Sequence, residues 1–384
     1  MTRVLSVVFL FVVSVCIAGW QLHLNHDVWT PDGAIYLRMT MQHRGMDAES
    51  ARTATNQFML DELTKASAST PGAGSSNDRA LYAQTPPQYY TDQFELFRNR
   101  PLYPIVAATI YPRFGPYSLK IVSAIAYVAT VMAMLAILLS MTSTVKALIG
   151  ALVFATEPVV LSLAALPLTD ELALFFWTCA FGAVLAYQRK PSAISGAVIL
   201  FASIALTFTR PAFFLPLGAG IGAYFVLRRS AGALAAFAPL GAALVATIAY
   251  LGFSAAVHGA SLTMQLHWQY AWQQSINGFG SQSSPAVWYV KSLALSVYRM
   301  VLLAVPNLGG VILVLFALFG LRYARTSGAA LISVASAIAI ALAIFANPLD
   351  IERPVLLPLA PIVVVLAIVG IDRLYVRERQ PADA

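Results

Sequence analysis

Ten apolar stretches punctuate this chain, and they limit what it can fold into more than any other feature. They fall near 4–22, 117–141, 145–166, 170–187, 193–209, 211–227, 231–257, 303–322, 328–346 and 354–372. A helix needs roughly 20 consecutive apolar residues to cross the hydrocarbon layer of a bilayer. In that layer only helices and closed barrels satisfy every backbone polar group. Composition points the same way: 59% of the 384 residues are hydrophobic and 11% are charged, against about 25% charged in soluble domains. The sequence therefore predicts an all-α polytopic membrane protein of about ten transmembrane helices, with one transmembrane domain over 1–384. The first run carries a single basic residue ahead of a long apolar core and lacks a small-x-small cleavage site. It reads as an uncleaved signal anchor.

Basic residues set the orientation. Arg3, Lys146, Arg189, Lys190, Arg228, Arg229, Arg322, Arg325, Arg373, Arg377 and Arg379 fall in short loops or termini on one side. By the positive-inside rule that side is cytoplasmic. Both termini then lie inside, which requires an even number of spans. Topology thus accounts for the net charge of +7, and no nucleic-acid partner is expected.

The opposite side, the periplasmic face of a bacterial inner membrane, receives two long loops, 23–116 and 258–302. The first is expected to hold helices near 32–44 and 47–66, a flexible stretch over 66–80, and an apolar helix in FRNRPLYPIVAATIYPRFG. That last piece is too short to span, so it is expected to lie in the outer interface. The second loop has no acidic residue, and its HWQYAWQQ and VWYVKSLALSVYRM segments suit interfacial depth. Cys16 and Cys179 both lie in apolar runs and make neither a disulfide framework nor a thiolate metal site. No P-loop, dinucleotide fingerprint or spaced Cys/His motif is present.

The polar residues at the outer ends of the spans form a pattern. Asp32 and Tyr36 follow the first span, and Asp170 and Glu171 open the fourth. Arg210 stands between the fifth and sixth, and Asp350, Glu352 and Arg353 precede the tenth. Charges at membrane depth are costly and tend to line cavities or sites. Each also has a local explanation. Thr30 and Pro31 make Asp32 a first-turn acid on a capped helix, and Thr169 offers Asp170 the same. Arg210 and Arg353 are long enough to snorkel to the interface. Asp32 and Tyr36, four apart, share a helix face. Glu157 stands before Pro158 inside the predicted third span. Either its carboxylate meets a hydrated cavity or the helix ends before it.

Four segments resemble the GT-C superfamily of integral-membrane glycosyltransferases, the class of protein O-mannosyltransferases and aminoarabinose transferases. They are PDGAIYL in the first outer loop, RPLYPIVAATIYPRFG before the second span, EPVVLSLAALPLTDELALFF across the third and fourth, and ERPVLLPLAP before the last. Their order and topology carry the resemblance. The chain departs from the pattern in having ten predicted spans with no soluble C-terminal domain. It also has Arg100, Pro101, Leu102 and Tyr103 where relatives carry His-Pro-Pro.

The resemblance implies transfer of a sugar from a polyprenyl-phosphate donor to a glycan, lipid or protein acceptor at the outer face, by a single inverting displacement. It implies Asp32 as general base, with Tyr36 and Glu352 in support, Tyr36 orienting Asp32 or stacking on a sugar. Arg210 and Arg353, with Arg98 and Arg100 behind them, would hold the donor phosphate. Asp170, then Glu171, would serve as further catalytic acids at the acceptor. A divalent cation, Mg or Mn, on Asp170 is the alternative to arginine for the leaving charge. Three rivals remain. A secondary transporter would concentrate charge near the midplane in related halves. A non-catalytic scaffold of cell-envelope glycan assembly would tolerate Asp32→Asn. A glycan ligase or polymerase would differ in using a large lipid-linked glycan.

Overall fold

A computed structural model describes residues 3–69, 94, 96–228, 230–259, 261, 263–267, 269–270, 284–304, 308–323, 328–345 and 352–378. Every regular element among them is helical. In chain order these are α1 (Arg3–Leu24), α2 (Pro31–His43), α3 (Ala48–Ser69), α4 (Leu102–Phe114), α5 (Ser118–Leu139), α6 (Thr144–Ala155) and α7 (Pro158–Leu163). There follow α8 (Asp170–Arg189), α9 (Ala193–Thr209), α10 (Phe214–Leu227), α11 (Ala233–Ala256), α12 (Pro285–Ala304), α13 (Leu308–Tyr323), α14 (Gly328–Leu342) and α15 (Leu357–Glu378).

Five helical stretches among the described residues are long and apolar enough to cross a membrane: Arg3–Leu24, Leu102–Leu139, Asp170–Arg189, Ala233–Ala256 and Arg353–Ile371. Thr144–Ala155, Ala193–Thr209, Phe214–Leu227 and Gly328–Leu342 are apolar but shorter. The chain is a helical membrane protein on this length and composition. The inversion of its surface agrees. In α1 the buried stripe is Ser6, Leu10, Ser14 and Ala18, at helical spacing. Val4, Val8, Phe11 and Val15 are exposed. The small residues Ser6, Ser14 and Ala18, with Leu10, face inward and most large apolar ones face outward, as packing inside lipid favours.

Small residues also set the closest helix contacts. A Cβ on Gly222 of α10 would fall 2.8 Å from the Ile332 Cα of α14, and one on Gly218 would fall 3.0 Å from the Ala335 carbonyl oxygen. In α15, a Cβ on Gly370 would lie 2.7 Å from the Cα of Gly320 in α13. Such close backbone approach replaces the hydrophobic drive that helices lack within lipid.

Two features differ from the sequence expectation. The apolar helix before the second span does form, as α4, but it runs into α5 through one 3-10 turn, Gly115–Tyr117, giving a single stretch Leu102–Leu139. Gly115, at φ +56, bends the chain there before Pro116. The predicted third span, 145–166, is not one helix. It ends at Ala155 and restarts at Pro158. Glu157 caps the restart, its Oε2 accepting from the Val159 and Val160 N–H groups at 2.8 and 3.0 Å. Its carboxylate therefore satisfies helix donors rather than a hydrated cavity.

The helices expected near 32–44 and 47–66 are α2 and α3. They pack with α4 around a second apolar cluster, which includes Tyr36, Met39, Phe97 and Tyr103 and is distinct from the larger core among the long helices. Leu119, Val122 and Leu172 join this cluster to α5 and α8. Of the expected flexible stretch over 66–80, residues 66–69 instead continue α3, which ends at Ser69; the rest of it and most of HWQYAWQQ lie outside the described residues. VWYVKSLALSVYRM falls within α12.

Candidate functional site

The site is built where α2 meets the turn before α8. Thr30 has extended backbone, and its Oγ1 accepts from the Gly33 N–H at 3.0 Å. Pro31 opens α2, and Asp32 sits in its first turn, where the positive helix end favours a carboxylate. Gly33 lets this end come close to the other side of the site. A Cβ there would lie 2.7 Å from Pro167 Cγ and 3.2 Å from the Pro167 carbonyl oxygen. The α2 start is thus seated on the 164–169 turn, and Asp32 arrives beside the first residue of α8, Asp170.

Two arginines complete the arrangement. Arg353 lies in one wide turn, Glu352–Leu356, ahead of α15. Its Nη1 donates to Asp32 Oδ2 at 3.0 Å, while its Nε and Nη2 donate to Asp170 Oδ2 at 3.0 and 2.7 Å. Arg210, extended between α9 and Pro211, pairs through Nη1 with Asp170 Oδ1. The row Asp32–Arg353–Asp170–Arg210 alternates in sign and carries no net formal charge, as partly buried charges require. Exposure separates the two acids: the Asp170 side chain is 0% exposed and the Asp32 side chain 29%.

Trp177 ties α8 to the segment that follows Arg353. Its Nε1 donates to the Pro358 carbonyl at 2.9 Å, linking α8 to the start of α15. Trp177 follows Asp170 by seven residues, two helical turns, so both face the same neighbour. That spacing was the available signal for a residue the sequence reading passed over. Gly33 and Pro167 had no comparable signal.

The other site residues fall as follows. Tyr36 is 0% exposed, held edge-on between Phe97 and Tyr103 at 5.3 Å each. Its hydroxyl meets Thr169 Oγ1 at 3.4 Å and receives Arg100 Nη1 at 3.4 Å. These contacts tie α2 to the start of α8. Thr169, expected as a cap, has helical backbone and makes no side-chain cap bond. Arg100 stacks over Phe97 at 4.7 Å and borders the site through Tyr36. Arg98 is exposed and donates to the Val257 carbonyl at 3.3 Å, beyond the end of α11. Glu171 is fully buried, and neither carboxyl oxygen has a hydrogen-bond partner among the described residues. Asp350 and the Glu352 side chain lie outside the described residues.

A resident dication fits these residues poorly. The Asp170 carboxylate is flanked by two guanidinium groups, which repel a cation and occupy its oxygens. No cluster of three or more His, Cys, Asp or Glu side chains suited to a metal occurs among the described residues. What the row offers instead is anion recognition by fixed guanidinium groups next to one open carboxylate. No protein-family model matches the chain, and no curated protein matches it.

Proposed function

We propose that the chain is a membrane glycosyltransferase. It moves a sugar from a polyprenyl-phosphate donor to a hydroxyl acceptor at the outer face of the cytoplasmic membrane. The observation that supports this most is the Asp32–Arg353–Asp170–Arg210 row at the adjoining ends of four segments. In this reading the chain has ten spans and cytoplasmic termini, and the row lies at the periplasmic face.

The four residues divide the work by exposure. Asp170, enclosed, anchors both arginines. Arg210 and Arg353 receive the donor phosphate by charge-assisted hydrogen bonds. A phosphate oxygen takes the place of Asp32 on Arg353 Nη1, which releases the Asp32 carboxylate. Asp32 then accepts the proton of the acceptor hydroxyl while that oxygen bonds to the anomeric carbon. The bond from the anomeric carbon to the phosphate oxygen breaks, its electron pair leaves with the polyprenyl phosphate, and the configuration inverts.

The test is reconstitution in lipid nanodiscs with a panel of polyprenyl-phosphate sugars and envelope acceptors, reading released polyprenyl phosphate. Release from one donor supports the reading. No release from folded protein with any donor removes it. Glu171, buried with no hydrogen-bond partner among the described residues, favours transport as a second reading. A coupling acid there predicts that Glu171→Gln abolishes gradient-driven uptake while Asp32→Asn does not.

A further inference from the structure

The connector that delivers Asp32 is held by a buried lysine. Residues 25–30 link the end of α1 to the start of α2. Lys120, in the first turn of α5, is 1% exposed. Its Nζ donates to the Asn25 and His26 carbonyl oxygens at 2.8 and 2.6 Å. The same ammonium lies over the Trp29 ring at 4.6 Å and the Tyr117 ring at 5.6 Å. Trp29 immediately precedes the cap residue Thr30, and its ring meets Phe58 of α3 edge-on at 4.8 Å. One cation thus contacts the connector near both of its ends.

A lysine is almost never fully buried without partners, and burying its charge is costly. The helix that carries Lys120 does not account for it. A cation in the first turn of a helix opposes the helix dipole, so α5 gains nothing from this one. No carboxylate is hydrogen-bonded to it among the described residues, and its partners there are carbonyl oxygens and ring faces. What the ammonium does is gather the carbonyls just beyond α1, whose negative end favours a cation, together with the residue that leads into α2.

The proposed transfer gives that arrangement a use. Arg353 Nη1 holds the Asp32 carboxylate at 3.0 Å. Once a donor phosphate takes that N–H, the pair is broken, and Asp32 keeps its place only if the start of α2 is held from elsewhere. The Gly33–Pro167 contact is one such hold, and the connector is another. We infer that Lys120 is a positioning residue for the base: by fixing residues 25–29 it keeps Asp32 in place while the donor phosphate occupies Arg353. The inference rests on the transfer reading above.

The test compares wild type, Lys120→Met and Val28→Gly in lipid nanodiscs, each alone and combined with Asp32→Asn. Lys120→Met removes both carbonyl bonds at similar side-chain length. Val28 is 42% exposed, so Val28→Gly loosens the connector without touching the core and decides the question if Lys120→Met does not fold. The readouts are release of polyprenyl phosphate and hydrogen exchange at the Gly33 and Ala34 N–H groups, which donate to Thr30. Each variant should lower kcat about tenfold or more, leave the donor KM unchanged, and speed exchange at Gly33 and Ala34 with α8 unaffected. Added to Asp32→Asn, neither should slow release further, because no base remains to be misplaced. A lysine that only stabilises the fold predicts a lower unfolding temperature with kcat unchanged, or the same fold-loss of kcat in both backgrounds. Either result, or unchanged exchange at Gly33 and Ala34, overturns the inference. No release by wild type is a different failure: it removes the transfer reading itself, and the positioning role falls with it.

Discussion

Asp32 and Asp170 accept from the same guanidinium, yet burial gives them different parts. Asp170 is enclosed between Arg210 and Arg353. Asp170→Asn removes the anion that two partly buried cations share, leaving Arg353 only the more exposed Asp32, and should cost about 3–5 kcal/mol, read as a fall in unfolding temperature in nanodiscs. Asp32→Asn, at the open end, should leave that temperature nearly unchanged. Gly33→Ala tests the seating of α2. The new methyl meets Pro167, and displacement of Asp32 by about 1 Å should lower turnover up to about 100-fold, with the overall helix content retained. Glu157→Ala removes a helix cap and should cost about 1 kcal/mol, with donor turnover unchanged. The capping of α2 was legible because Thr30, Pro31 and Asp32 are local signals. The Gly33–Pro167 contact was not, because nothing in a single sequence reports which distant turn a glycine approaches.

At the scale of elements, the helix contacts rest on small residues. Gly222→Leu puts a large side chain against the α14 backbone at Ile332 and should separate α10 from α14. The measurement is faster hydrogen exchange in both helices, with α1 and α5 unaffected. The start of α3 responds to pH. The Ser50 hydroxyl and N–H, with the Glu49 N–H, hold the Asp47 carboxyl below its ordinary 3.8. A depressed value means this contribution is complete above 3.8 and disappears as the pH falls through the lower value. Exchange protection at the α3 N-terminus should therefore fall below that range and stay constant above it. Apolar run lengths fixed most element positions closely, including α9 over Ala193–Thr209. They misread the third span because hydropathy averages over Glu157, whereas Pro158 ends the helix by removing a backbone donor.

At the scale of the whole molecule, the convergence of the ends of α2, α8 and α9 with the turn before α15 was readable from charge placement on a topology. The pairing within it was not, since a sequence shows which charges share an end but not which guanidinium meets which carboxylate. The proposed topology makes its own prediction. With Cys16 and Cys179 replaced by serine, Met46→Cys should react with an impermeant thiol reagent from the periplasmic side, and Ser192→Cys only after the cytoplasmic side is opened. The reverse pattern would put the row at the wrong face for a lipid-phosphate donor. The most direct test of the central proposal is the release of polyprenyl phosphate by wild type and Asp32→Asn, side by side in nanodiscs at equal folded protein. Wild type should release it from one donor of the panel, and Asp32→Asn should be slower by about 100-fold or more, the range expected for loss of a general base. Equal release by the two proteins would contradict Asp32 as the base and the function assigned to the row.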